Sequence, residues 1–123
     1  MYKKFESFNN IDIPHVVNVR KAELNKRGIS DFMEWKSIPE SLYIGRNMSL
    51  YIPGATGSKW RNPFPAKQYG HDECLRLYKE YILNNKELLD SLDELEGKEL
   101  GCWCHPNPCH GDILVELFKK KFL

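Results

Sequence analysis

The sequence has no long hydrophobic run, no excess of either charge, and no internal repeat or low-complexity segment. No stretch approaches the ~20 apolar residues that cross a bilayer, so a membrane-spanning reading is set aside. The opening MYKKFESFNNIDIPHVV lacks the apolar core of a secretory signal, so a cytoplasmic location with reduced thiols is expected. The balance of 18 Lys+Arg against 17 Asp+Glu leaves a net charge of +1. A strongly basic nucleic-acid coat and an acidic tail are both excluded by it. The split is mild: +4 over residues 1–61 and −3 over residues 62–123. With no continuous basic stripe, nucleic acid is not the expected partner.

What is present fits a folded chain. At 123 residues, 41% hydrophobic and 12% aromatic, one domain spanning 1–123 is expected, with its core over about 15–118. His15–Arg20 is β-branched and reads as a strand, as does Ser41–Arg46. Between them, Asp31 and Glu34 stand at capping-box spacing before a short helix ending at Lys36. A long loop over 47–69 carries Pro53, Gly54, Gly57, Pro63 and Pro65. Helices are predicted over 71–84, where Cys74, Leu77, Tyr78 and Tyr81 recur at helical period, and over 86–96, stopped by Gly97. Residues 99–104 read as a third strand, and a last helix starts near Gly111 or Asp112. Strands separated by long or helical crossovers predict a small layered α/β domain, Rossmann-like, with a mostly parallel sheet of about three or more strands flanked by helices.

Ligands of such sheets gather at the carboxyl ends of the strands. Arg20 and Arg46 close the first two strands, Gly45 permits close approach, and the third strand leads to a helix start at Gly111. Together they compose a candidate anion site, since an arginine fork binds phosphate or carboxylate. Lys59, Trp60, Asn62 and Phe64 lie on the proline-stiffened loop. Trp60 or Phe64 would stack on a base while Asn62 bonds its edge; otherwise the same residues plug the loop over the core.

Three of the four cysteines fall between positions 102 and 109, beside His105 and His110. Three readings stay open. Cys102, Cys104, Cys109 and either His110 or His105 are possible ligands of a zinc ion, though their spacing is not the common C-x₂-C knuckle. Cys109, near a helix start and beside His110, is a candidate nucleophile or redox thiol, with Cys104 as a partner. Or the cysteines pack as small apolar groups, leaving His110 and Asp112 to act as acid, base or ligand-orienting groups. Cys74 reads as helix core.

The stretches Val16-Val17-Asn18-Val19-Arg20-Lys21, Tyr43-Ile44-Gly45-Arg46, Lys59-Trp60-x-Asn62-Pro63-Phe64 and Cys102-Trp103-Cys104-x-Pro106-x-Pro108-Cys109-His110-Gly111-Asp112 resemble a bacterial and phage family known as domain of unknown function 4326. The resemblance implies that Arg20, Arg46, Trp60, Asn62, Pro63, Phe64, Cys102, Cys104, Cys109, His110 and Asp112 belong to one site, in a bacterial cell or in a phage-infected host. Arg61 stands where the family has glycine, and the segment from Asn47 to Ser58 is longer than usual.

The expectation is a protein that binds a phosphorylated nucleotide-like or sugar-phosphate ligand at the strand ends, without a required cofactor. If it is an enzyme, hydrolysis or transfer at a glycosidic or phosphate bond is the expected reaction, with His110, Asp112 and Cys109 as its catalytic groups. A zinc-bearing adaptor and a phage-encoded, non-catalytic binder of a nucleotide or host protein are the alternatives.

Overall fold

The computed structural model describes residues 11–123. Three strands, β1 (His15–Asn18), β2 (Ser41–Tyr43) and β3 (Glu99–Cys102), form one sheet in the order β1–β3–β2. Both pairings are parallel: Val16 and Leu42 lie opposite Leu100, while Val17 and Tyr43 lie opposite Gly101. A small α/β architecture with an all-parallel sheet is therefore what the chain forms.

Successive strand residues face opposite sides of a sheet, and here the sides have separate cores. Val16, Ile44, Leu100 and Cys102 pack with Tyr78, Ile82 and Leu88, with Leu92 and Leu95, and with Leu114, Leu117 and Phe118. Val19 and Tyr43 pack with Leu24, Ile29, Phe32, Trp35 and Ala55, with Val17 alongside. The first core is roofed by α4 (His71–Leu83), α5 (Lys86–Asp90), a 3₁₀ turn (Leu92–Leu95) and α6 (His110–Phe122). The second is closed by α1 (Lys21–Lys26), α2 (Phe32–Lys36) and the long loop; a short α3 (Ala66–Tyr69) precedes α4. Among the described residues no helix is long and apolar enough to cross a membrane.

The strands are shorter than the sequence predicts, because each run continues past the ladder to the sheet edge. The Asp31 cap is present: its carboxylate accepts the Glu34 N–H at 2.9 Å. Glu34 turns to Ser30 instead, taking its N–H at 2.6 Å and its hydroxyl at 2.7 Å. The single helix expected over 86–96 breaks at Ser91, whose N–H bonds Leu88 three residues back while its hydroxyl bonds the Glu87 carbonyl. That tighter winding turns Leu92 and Leu95 into the core. Two elements were not anticipated: α1, too short to show a period, and α3, set after Pro65 and ended by Gly70 at φ 85°.

Gly101 is the narrowest point of the sheet. A Cβ there would run into the indole of Trp35 and come within 2.9 Å of Val19 Cγ1. The same indole donates from Nε1 to Glu99 at 3.0 Å, and Arg27 reaches that carboxylate at 2.8 Å. Burial pushes the Glu99 carboxyl upward, but these two donors outweigh it and hold it below its ordinary value.

Gly101→Ala is expected to lower the urea unfolding free energy by about 1–3 kcal/mol through overpacking against Trp35; an unchanged midpoint contradicts the close approach. Because its carboxyl is depressed on folding, Glu99 stabilises the fold above the ordinary carboxylate range of about 4.3 and loses that contribution as pH falls through the lower folded value. Glu99→Gln should therefore flatten the acid limb of a stability-versus-pH curve, measured by denaturant melts.

Candidate functional site

Parallel strands bring their carboxyl ends to one edge. There the chain leaves β1 through Asn18, Val19 and Arg20, and leaves β3 through Trp103, Cys104 and His105. A cleft of about 500 Å³ opens between these two exits. Its walls are Asn18, Arg20 and Glu23 on one side, the segment from Trp103 to Asn107 on the other, and His71 from the start of α4.

Asn18 fastens the two exits together. Its Oδ1 accepts the Arg20 N–H at 2.8 Å, and its Nδ2 donates to the His105 carbonyl at 2.7 Å. Arg20 is also held, donating from Nε to the Trp103 carbonyl at 3.0 Å. This leaves both terminal guanidinium nitrogens without a partner among the described residues, on a side chain that lines the cleft. Glu23 is the one carboxylate on the cleft wall, and it pairs with Lys26 at 3.2 Å.

Trp103 separates the cleft from a second cavity of about 320 Å³, lined by Val19, Phe32, Met33 and Ile52 among others. Its ring stacks on Phe32 at 5.9 Å and meets the edge of Tyr43 at 6.0 Å. Its Nε1 donates to the Tyr43 hydroxyl at 2.9 Å, which donates onward to the Arg46 carbonyl at 2.7 Å. Burial raises the Tyr43 phenol above its ordinary value, so it stays a neutral donor.

The cysteine–histidine segment folds as a strand end, a turn and a helix start, with a cis bond between His105 and Pro106. Cys102 and Cys109 meet: the Cys109 thiol donates to Cys102 Sγ at 3.4 Å, and both are buried. That bond draws Cys102 below the usual thiol range, helped by N–H groups of Cys104 and His105 and opposed by burial. Cys109 moves the other way, first because it is the donor and then because it is buried. Cys104 is exposed. Asp112 caps α6, its carboxylate accepting the Cys109 N–H at 2.9 Å. Gly111 lets the helix approach the sheet: a Cβ there would stand 2.9 Å from Ile44 and 3.0 Å from Val16.

His110 is set against Tyr78, edge to face at 5.1 Å, with Nε2 at 2.7 Å from the Ile44 carbonyl. A carbonyl only accepts, so Nε2 carries the proton. Burial holds the ring below its ordinary value despite that bond and the nearby Asp112.

The other expected positions disperse. Trp60 is 1% exposed in the core, and its loop is tied down by the Tyr78 hydroxyl, which donates to the Trp60 carbonyl at 2.6 Å. Lys59 pairs with Glu94 at 2.8 Å. Asn62 turns inward, accepting the Phe64 N–H at 2.9 Å, and Phe64 meets Tyr69 and Tyr81 edge-on. Arg61 bonds the Ser58 carbonyl at 3.0 Å. Gly45 is buried because the Tyr43 hydroxyl fills the space where its side chain would be. The Arg46 side chain is exposed and outside the cleft lining. Of the expected set, Arg20 and Cys104 line the cleft, while Cys109, His110 and Asp112 stand at the start of α6 and outside its lining. Among the described residues no group of three or more His, Cys, Asp or Glu is arranged to hold a metal ion.

Of the cleft residues, Asn18, His71, Trp103 and Asn107 are not marked by the sequence as binding groups, and His105 only as an alternative zinc ligand. Asn18 has a visible signal, a polar residue inside a β-branched run two positions before Arg20. His71 had none, since only the docking of α4 brings it to the cleft.

The fold and the cleft define a small α/β protein with an Arg20-lined cleft at the carboxyl ends of parallel strands. The chain belongs to the family described as domain of unknown function (DUF4326), whose model matches residues 29–120. It is 39% identical over 88 residues to an uncharacterized protein of Acanthamoeba polyphaga mimivirus, covering 63% of this chain and 66% of that protein. It is 30% identical over 70 residues to an uncharacterized 12.4 kDa protein of the nrdA-td intergenic region of Enterobacteria phage T4, covering 54% of this chain and 65% of that one. The matched region thus spans just under two thirds of the length of these curated relatives. No solved structure matches the chain.

In an NMR titration of the imidazole rings, His110 should stay neutral at pH values near 6.5, where an exposed histidine is half protonated. With its folded value depressed, it stabilises the fold above that pH and loses the contribution as the pH falls toward the folded value. A His110 ring that titrates at or above the ordinary value contradicts the buried, carbonyl-bonded arrangement.

Proposed function

We propose that the protein binds a small phosphorylated ligand, nucleotide-like or a sugar phosphate, in the cleft between the exits of β1 and β3. The observation that carries this reading is Arg20: its Nε is fixed by the Trp103 carbonyl, so its terminal nitrogens are pre-oriented donors on the wall of a ligand-sized cleft. His71, His105 and the Asn107 amide add polar groups around the same space. The 13-residue α4 begins at His71 without a side-chain cap, which turns a positive dipole end toward that wall. Trp103 supplies an aromatic surface for a base or sugar. Glu23 disfavours a second anionic group beside Lys26, which fits one phosphate better than an extended polyanion. A Rossmann-like classification belongs with this proposal: all three strands are parallel and the cleft lies where such sheets take ligands. Should chemistry follow binding, at a glycosidic or phosphate bond, the titratable groups on the cleft wall are His71, His105, Glu23 and Cys104.

A second reading, binding of a protein partner, is favoured by the exposed apolar side chains of Met33, Leu50 and Tyr51, two of which line the smaller cavity.

Thermal-shift and calorimetric titration with nucleoside mono- and diphosphates, a dinucleotide and ribose 5-phosphate tests the main proposal. At least one should raise the melting temperature, and Arg20→Ala should weaken its binding by about 10- to 100-fold, the worth of charge-assisted hydrogen bonds. No shift with any of these ligands, or equal binding by Arg20→Ala, overturns it.

A further inference from the structure

Two thiols stand apart from the cleft and have no part in the proposed binding. Cys102 ends β3, and Cys109 is the residue on which α6 begins. Their sulfurs are 3.4 Å apart and both side chains are almost fully buried, at 2% and 4% exposed. The other two cysteines are otherwise engaged or placed: Cys74 donates to the His71 carbonyl at 3.1 Å, and Cys104 is exposed on the cleft wall.

The pair is built as more than apolar filling. The Cys109 thiol donates to the Cys102 sulfur, and that bond, helped by the backbone N–H groups of Cys104 and His105, holds the Cys102 thiol below its usual range. Donors converging on sulfur stabilise the anion, and the anion is the form that attacks an oxidant. Access is short as well. Trp103, Cys104 and His105, which follow Cys102 in the chain, are part of the cleft wall. Cys102 is thus the chain neighbour of a residue on the wall of a cleft that admits a molecule as small as hydrogen peroxide.

We propose that Cys102 and Cys109 are a peroxide-oxidisable pair that closes reversibly into a disulfide between the end of β3 and the start of α6. The Cys102 thiolate attacks one peroxide oxygen, the O–O bond breaks, and the departing hydroxide takes up a proton to leave as water. This yields a sulfenic acid on Cys102. Cys109 sulfur then attacks Cys102 sulfur, the S–O bond breaks, and the hydroxyl leaves with the Cys109 proton as a second water. The balance is two thiols and one hydrogen peroxide giving one disulfide and two waters. The bond would join the two ends of the segment running from Trp103 to Pro108, which forms one wall of the cleft. The redox state of the pair would thus set the mobility of that wall.

The full-length chain is exposed to hydrogen peroxide, denatured, alkylated with N-ethylmaleimide and weighed intact. The native sequence should fall from four alkylated thiols to two, and return to four after reduction. Cys74→Ser with Cys104→Ser keeps only the pair and should fall from two to none, with the peptide spanning residues 99–119 lighter by two hydrogen atoms. Cys104→Ser alone, falling from three to one, gives the same readout should Cys74→Ser unfold the chain. The proposal is overturned if Cys102 and Cys109 stay alkylatable at peroxide doses that oxidise Cys104. It is equally overturned if Cys102 gains oxygen without a cross-link, or if the cross-link joins Cys104 or two separate chains.

Discussion

Everything in this molecule hangs on the pairing of β3 with both of its neighbours. Among the described residues β1 and β2 do not pair with each other; each is hydrogen-bonded to β3, the last strand in sequence. Because both pairings are parallel, the chain must cross over between strands, and every strand delivers its carboxyl end to the same edge. The cleft follows from that constraint. Its two walls are the continuations of β1 and β3 beyond the ladder, joined by the Asn18 side chain and by Arg20.

The strand in the middle also sets how tightly the layers close. Gly101 admits the Trp35 ring on one side, and Leu100 and Cys102 enter the core on the other. Glu99 at the start of the strand takes Trp35 and Arg27 at once, so one residue anchors a loop and a helix to the sheet. At the far end, α6 can begin close to the strands because Gly111 has no side chain to collide with Val16 and Ile44. The short distance between Cys102 and Cys109 comes from the same close approach.

Much of this frame is legible in the residues. Val16-Val17, Leu42-Tyr43 and Leu100 mark the strands by their composition, and the order of strands and helical stretches implies parallel pairing. Asp31 announces its own cap. The aromatic loop is different, because Trp60 and Phe64 look the same in sequence whether they stack on a ligand or on the core. Only the packing of α4 and Tyr78 against the loop places Trp60 inside. The cysteine segment is opaque for a related reason. The sequence leaves Cys104 open as a redox partner of Cys109 without fixing their distance, and the turn after β3 leaves Cys104 outside and brings Cys102 to Cys109. Arg20 was visible as a strand-end cation, while His71 reaches the cleft through tertiary docking that no local pattern encodes.

The central claim is that a phosphorylated small molecule sits between the exits of β1 and β3. Amide chemical-shift mapping of the whole chain, titrated with the phosphorylated compound that binds best, tests it most directly. The account predicts the largest shifts at Asn18, Val19, Arg20, His71 and the segment from Trp103 to Asn107. Shifts concentrated at Arg46 and the loop from Lys59 to Phe64, or spread evenly over the basic surface, would contradict it.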